Sequence, residues 1–372
     1  MQLHLIAFNV PVPANYGGVI DVFYKIKALH SIGVKIHLHC FEYGRETAEE
    51  LNEFCESVTY YKRATSLLKH VSILPFIVNS RLDNDLLTNL LKDDFPILFE
   101  GLHCSGFVTH PSLKNRQKLV RMHNVEWQYY EHLSIKETTL WKRLFYKLES
   151  IKLKRFEREA LIVGRNVALI TISPNDTKYF ESTYPNLLST YVPAFHPNDE
   201  VTSKLGKGNY ALFHGDLSVK DNEEAALFLI NDVFDKLDFK LIIAGLNPSP
   251  RLLAKSSENI EIQANLTQSE MDDLLRNAHV NILISFHSAG MKLKLLNALF
   301  KGRFCVVNQF MVEGTGMEAY CLVGESAESL RQKINQVCKL SFDESHQEKR
   351  KTLLTHELSN LHNVEKIYRQ LD

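Results

Sequence analysis

At 372 residues the chain is long for one hydrophobic core and comfortable for two domains. Apolar residues make up 45% and charged residues 23%, proportions that exclude a disordered or fibrous chain. A net charge of −1 excludes a whole-molecule field toward nucleic acid, so any charged partner must be met by a local patch.

The N-terminal half alternates strand and helix. Residues 3–10 are a short apolar run, as in a strand buried on both faces. A turn-rich loop, 11–18, leads into a helix over 19–32 with Val19, Val22, Phe23, Ile26 and Leu29 on one side. Gly33 ends that helix and 34–41 alternates as a second strand. A right-handed crossover of this length implies a parallel sheet. Further strands are predicted at 58–61, 97–100, 118–122 and 168–172, and helices at 48–55, 82–91, 141–161 and 174–184. Residues 193–209, with Pro193, Pro197, Gly206 and Gly208, read as a linker. Alternation then restarts. Strands are predicted at 210–214, 240–244, 260–262, 280–285 and 305–308, and helices at 223–233, 269–276, 292–300 and 327–340. The expectation is an α/β protein of two doubly wound domains facing across a cleft. They span 1–195 and 209–355, and a C-terminal helix over 356–372 packs back on the first domain.

Six cysteines, at 40, 55, 104, 305, 321 and 338, form no C-x-x-C pair and read as reduced core thiols of a cytoplasmic protein. The first residues lack a basic n-region and read as a strand rather than a leader. No apolar run approaches membrane-spanning length.

In doubly wound sheets ligands bind beyond the C-terminal strand ends, so the loops that follow strands carry the information. Three stand out. Asn15-Tyr16-Gly17-Gly18 precedes a helix, and paired glycines there let backbone amides approach an anion. His214-Gly215-Asp216 follows the first strand of the second half, with Lys220 as a phosphate candidate and Asp221 or Asn222 as a helix cap. The third loop holds Gly290, Lys292 and Lys294 at the start of a helix. Cations at that end oppose the helix dipole, a cost that an intervening diphosphate would offset. His37-Leu38-His39 lies on an alternating strand without a ligand partner at metal spacing, and no metal is expected there.

Together these segments resemble the family-four-type retaining glycosyltransferases of GT-B fold, which include mannosyl- and glucosyltransferases of bacterial surface polysaccharide synthesis. The resemblance covers nearly the whole chain. It rests on Asn15-Tyr16-Gly17-Gly18, Arg121-Met122-His123-Asn124-Val125-Glu126 with Tyr129-Tyr130, Ile172-Ser173-Pro174, His214-Gly215-Asp216-Leu217 with Asn222, and the stretch from Gly290 to Gly302. Where that family carries two glutamates around its donor helix, this chain has Ala289 and Asn297. The resemblance implies a GDP- or UDP-linked nucleotide sugar as donor, mannose ahead of other hexoses, and no further cofactor. It implies a carbohydrate or lipid-linked acceptor and retention of configuration. Gly17, Gly18, Gly215, Lys220, Gly290, Lys292, Lys294 and Asn297 would bind the donor, and His123 and Glu126 would face the reacting groups. Glu100 and His103 also follow a first-domain strand and are expected to line the cleft. Without a D-x-D pair at a strand end (Asp83-Asn84-Asp85 reads as a helix start), the leaving diphosphate would be met by amides and lysines, without a metal. Two alternatives stay open: a catalytically silent sugar- or nucleotide-binding protein, and an epimerase-like enzyme acting on a nucleotide sugar.

The predicted helix over 141–161 carries seven basic residues between Lys142 and Arg158, with Trp141, Leu144, Phe145, Leu148 and Ile151 as an apolar stripe. The reading favoured from sequence is a stripe turned into the core. The competing one is docking on an anionic membrane surface, with the protein peripheral on its inner face.

Overall fold

The computed structural model describes residues 1–286 and 292–371. The chain divides into two compact units. The first holds Met1–Pro197 and takes back Leu358–Asp372, and the second holds Asn198–Ser288 and Lys292–Glu357. Residues 198–208, read as linker from sequence, belong to the second unit. There Thr202 donates to the Phe300 carbonyl and Gly206 bridges to Phe342.

In the first unit seven parallel strands form one sheet in the order β3-β2-β1-β4-β5-β6-β7. They are β1 (Gln2–Ala7), β2 (Lys35–Glu42), β3 (Ser57–Lys62), β4 (Ile97–Glu100), β5 (Lys118–Met122), β6 (Val167–Thr171) and β7 (Ser189–Tyr191). The inner strands are apolar on both faces because both are covered. Ile6, Phe99 and Val120 point into one core, and Leu5, Leu98 and Leu119 into the other. The helix Gly17–Ser31 covers the second face through Val22, Phe23, Ile26 and Leu29. Gly33, at φ 80°, ends it. The Gly33 amide returns to the His30 carbonyl and the Val34 amide to the Leu29 carbonyl, a Schellman closure that favours a residue without Cβ. The helix Asn360–Leu371 lies against Gly17–Ser31 on the same face, burying Val364, Ile367 and Leu371.

The second unit repeats the plan with six parallel strands in the order β10-β9-β8-β11-β12-β13. They are β8 (Tyr210–Asp216), β9 (Lys240–Leu246), β10 (Ile260–Ala264), β11 (Val280–Leu283), β12 (Phe304–Val307) and β13 (Leu322–Val323). In each sheet the order reverses beside the first strand, between β1 and β4 and between β8 and β11. Those switch points leave a crevice at the C-terminal strand ends, where loops diverge to opposite faces.

Four charges are sealed inside the first unit. Lys25 lies one turn after Asp21 on the inner face of Gly17–Ser31, and donates to Asp21 (2.9 Å) and to both oxygens of Glu100 (2.7 and 2.8 Å). Arg121 on β5 forks onto Asp21 at 2.9 and 3.2 Å and donates to the carbonyls of Val192 and Pro193. Asp21 also accepts from the Phe195 amide. All four side chains are fully buried. Burial alone would raise both carboxyls. Arg121 and Lys25 outweigh it at Asp21, as Lys25 and His123 do at Glu100, so both lie below the usual carboxylate range.

The helix Leu140–Val163 corrects the favoured reading of its stripe. Leu153, Phe156, Ala160 and Leu161 face the core. Trp141 (81% exposed), Leu144, Leu148 and Ile151 face solvent, with Leu140 beside them. The apolar spacing is helical as expected, but the side that packs is the one built on Glu149, Ser150 and Leu153.

Removing one partner of a buried charge network leaves the rest unpaired. Asp21→Asn is therefore expected to destabilise the first unit by about 3–5 kcal/mol, measured as the shift of its urea-unfolding transition followed by circular dichroism.

Candidate functional site

At the switch point of the first sheet, Gly17 and Gly18 open the helix Gly17–Ser31. Tyr16 supplies no side-chain cap and the first turn holds no acidic residue. The leading amides therefore donate to no capping side chain. A Cβ on Gly18 would come 2.7 Å from the Phe8 ring, so glycine is required for the helix to sit this close to the end of β1. Phe8 in turn meets His123 edge-on at 5.5 Å and His103 at 5.6 Å. Gly18, Phe8 and His123 therefore converge beyond β1 and β5.

His123 follows β5 and is buried, its Nε2 3.2 Å from Glu100 Oε2 and 4.0 Å from Asp21. Asp21, Glu100 and His123 bring potential ligand atoms within 4.8 Å of one another, as a metal site would. The Lys25 ammonium already sits against both carboxylates, so the cation of that cluster is a side chain. Of Glu100 and His103, expected along a cleft wall, Glu100 is fully interior and His103 is partly buried. Glu100 holds Lys25 and His123, while His103 has a buried Nδ1 without a partner and is kept neutral by burial. Glu126 opens the helix Glu126–Lys136 and is buried as well. Burial raises its carboxyl to about 8, so it carries a proton at neutral pH and can donate but not accept one.

At the switch point of the second sheet, Gly215, next to the last residue of β8, lies beside Lys294, on the first turn of the helix Leu293–Lys301. Lys294 donates to Asn222 at 3.0 Å, and a Cβ on Gly215 would stand 2.6 Å from the Lys294 nitrogen. Asn222, expected as a cap, instead donates to the Asp216 carbonyl at 2.8 Å. The helix starts earlier, at Lys220, with Val219 at its cap position. Burial lowers Lys292 and Lys294 to about 8 each. Lys220 does not join them. Its side chain is 82% exposed and pairs with Glu224 at 3.7 Å. Asn297 lies one turn further along and accepts from Asn198 at 2.7 Å. Gly290 and the neighbouring Ala289 fall outside the described residues. Asp83, of the Asp83-Asn84-Asp85 run, caps the helix Asn84–Leu90 through the amides of Asp85 and Leu86.

Sequence reasoning missed Asp21, Lys25 and Phe8. A signal for the first two was present: opposite charges at i and i+4 on the apolar side of a helix, among residues otherwise destined for the core.

Residues 208–339 match the family described as Glycosyl transferases group 1. A Klebsiella pneumoniae protein described as an uncharacterized 44.6 kDa protein in the cps region is 26% identical over 336 residues, 85% of this chain and 84% of that one. Among solved structures, TarM superposes with a TM-score of 0.67 at 11% identity, covering 100% of this chain and 98% of TarM. Anabaena Alr3699/HepE, solved with UDP and glucose, gives 0.65 at 9%, covering 100% and 99%. The lipopolysaccharide outer core galactosyltransferase WaaB in its apo form gives 0.64 at 9%, again covering 100% and 99%. Two Rossmann-like units, each with its own parallel sheet, and these superpositions define the architecture as GT-B. With the match across its second unit, the chain is an enzyme of the glycosyltransferase class.

The Glu126 carboxyl is raised in the folded chain, so its contribution to stability is full below its ordinary value of 4.5 and is lost as pH rises through about 8. The melting temperature of Glu126→Gln should therefore gain on that of the unaltered chain between about pH 6 and about pH 9, read by differential scanning fluorimetry.

Proposed function

We propose that the protein transfers a hexose from a GDP- or UDP-linked sugar to a surface-polysaccharide or lipid-linked acceptor, with retained configuration and without a metal. The observation that carries this reading is the pair Lys292 and Lys294 at the start of Leu293–Lys301. Burial lowers both, and Lys294 lies against Gly215. Two ammonium groups at the positive end of a helix are unfavourable alone and favourable around a diphosphate. As the bond to the sugar lengthens, negative charge grows on the departing phosphate oxygens. Fixed ammonium and amide donors stabilise that charge more than the ground state, which lowers the barrier. Gly215 keeps Lys294 within reach by offering no side chain. His123, oriented by Glu100, is the group assigned to the transferred sugar or the incoming hydroxyl. Support for a nucleotide sugar comes from the structures similar to this chain, one solved with UDP and glucose and another with UDP-L-rhamnose. Support for polysaccharide synthesis comes from the relative in a cps region.

Transfer is measured with radiolabelled GDP- and UDP-hexoses. Lys294→Met should lower kcat/KM by about 10²–10³-fold, and activity should persist in excess chelator with a retained anomeric linkage by NMR. Complete loss in chelator would refute the metal-free mechanism. Donor consumed without any acceptor product would favour the epimerase-like alternative.

The acceptor is proposed to be met at an anionic membrane surface. No helix among the described residues is long and apolar enough to cross a membrane. The outward face of Leu140–Val163 presents Trp141, Leu144, Leu148 and Ile151, and Lys142, Arg143, Lys147, Arg155 and Arg158 are exposed around them. The adjoining segment exposes Val71 and Ile73, and its His70 touches Phe145. Apolar side chains ringed by cations match acyl chains under acidic headgroups. The chain should sediment with phosphatidylglycerol vesicles at low salt and be released by roughly 0.5 M salt, whereas Trp141→Ser with Leu144→Ser should stay in the supernatant. Equal binding to phosphatidylcholine vesicles would argue against this surface.

A further inference from the structure

Beyond the C-terminal ends of β1, β2 and β3 the first unit gathers cations that, among the described residues, have no carboxylate within ion-pair distance. Arg81 follows the short helix Phe76–Asn79 and is buried. Its Nε donates to the Phe8 carbonyl at 3.0 Å and its Nη1 to the Ile77 carbonyl at 2.7 Å. Among the described residues its Nη2 meets no acceptor, and no carboxylate comes within ion-pair distance. Two other buried arginines, Arg121 and Arg350, are completed differently. Arg121 is neutralised by Asp21, and Arg350 has both terminal nitrogens on the carbonyls of Leu299, Gly302 and Arg303. Burial lowers Arg81 to about 10, and nearby Arg63 adds to the effect.

Arg63 directly follows β3. It donates to Ser80 at 3.0 Å and lies over the rings of Tyr43 (4.3 Å) and Phe76 (5.2 Å), again with no carboxylate in range. It lines an open groove of about 600 Å³ with Arg45, Lys62, Thr47, Glu42 and Glu46. Neither glutamate is within 4.0 Å of those cations, so the rim suits one acidic group rather than a run of them. Tyr16 and Tyr43 stand exposed at the same strand ends, Tyr16 under the Arg45 guanidinium at 5.0 Å. His103, with its unpartnered buried Nδ1, lies behind Phe8. A buried guanidinium without an anion, as at Arg81, is costly, and the half-buried planar fork of Arg63 backed by aromatic rings is suited to a carboxylate or a phosphate.

We propose that this groove is an acceptor subsite for an acidic group, a carboxylate or phosphate held by Arg63 with Arg81 behind it, while the tyrosines flank the sugar. The proposal deepens the glycosyl-transfer reading and rests on it for the word acceptor. The acid has two sources, a uronate residue or the phosphate that links a sugar to a lipid.

The full chain is titrated by calorimetry with a glucuronate-containing disaccharide, with a short-chain alkyl phosphate glycoside, and with a neutral disaccharide of the same size. UDP and GDP are titrated separately. An acidic probe should bind about tenfold tighter than the neutral one. Arg63→Gln, half-exposed and so tolerated by the fold, should abolish that preference while leaving nucleotide affinity within about twofold. Whichever acidic probe binds tighter identifies the source. Arg81→Met should lose the preference too, with circular dichroism checking that it folds. Equal binding of acidic and neutral probes, no binding of either acidic probe, or a preference that survives Arg63→Gln would overturn the subsite. Failure of both nucleotides to bind would strike the glycosyl-transfer reading instead and leave the arginine result intact.

Discussion

The first unit depends on a set of charges that has no access to water. Asp21, Lys25, Glu100 and Arg121 come from a helix and two strands, and they are affordable inside only because each is answered by another. Their geometry leaves little freedom. Arg121 reaches from β5 to the carbonyls of Val192 and Pro193, so the segment leaving β7 is fixed by the same atoms that fix the helix. Glu100 meets Lys25 with both oxygens and His123 with one of them, Oε2. The site residue with the clearest orientation is thus oriented by the fold's most demanding interaction.

The two units hold their cations by different means. In the second, ammonium groups on flexible stems stand at a helix start beside a glycine. In the first, planar guanidinium groups are pinned by carbonyls and aromatic rings. The first arrangement tolerates movement and the second favours a fixed shape.

Much of this was legible in the sequence, for a physical reason. Strands covered on both faces are written as unbroken apolar runs, so β1, β4 and β5 could be read to within a few residues. β7 and β13 are three and two residues long at sheet edges and leave no such trace. The helix Leu140–Val163 is a different lesson. Periodicity reports that two faces differ, not which of them meets the core, and its solvent-facing stripe is the more apolar of the two in the first turns. Loop lysines were legible only as candidates. Lys294 and Lys220 look alike in sequence, yet only Lys294 is drawn inward, because it lies on the apolar helix that closes over Gly215. The charges of Asp21 and Lys25 escaped notice because ionised residues are read as surface unless their partners, distant along the chain, are known.

The last helix belongs to the first unit, and everything from Asn198 to Glu357 lies between that unit's two pieces. His196 bonds to the Leu358 carbonyl and Asn360 to the His196 backbone, so departure and return are clasped at one place. The face of the first sheet that Gly17–Ser31 covers is therefore completed, by Val364 and Ile367, only by chain that follows the whole second unit. Cutting the chain ahead of Asn360 would injure the first unit and spare the second, although the segment removed directly follows the second.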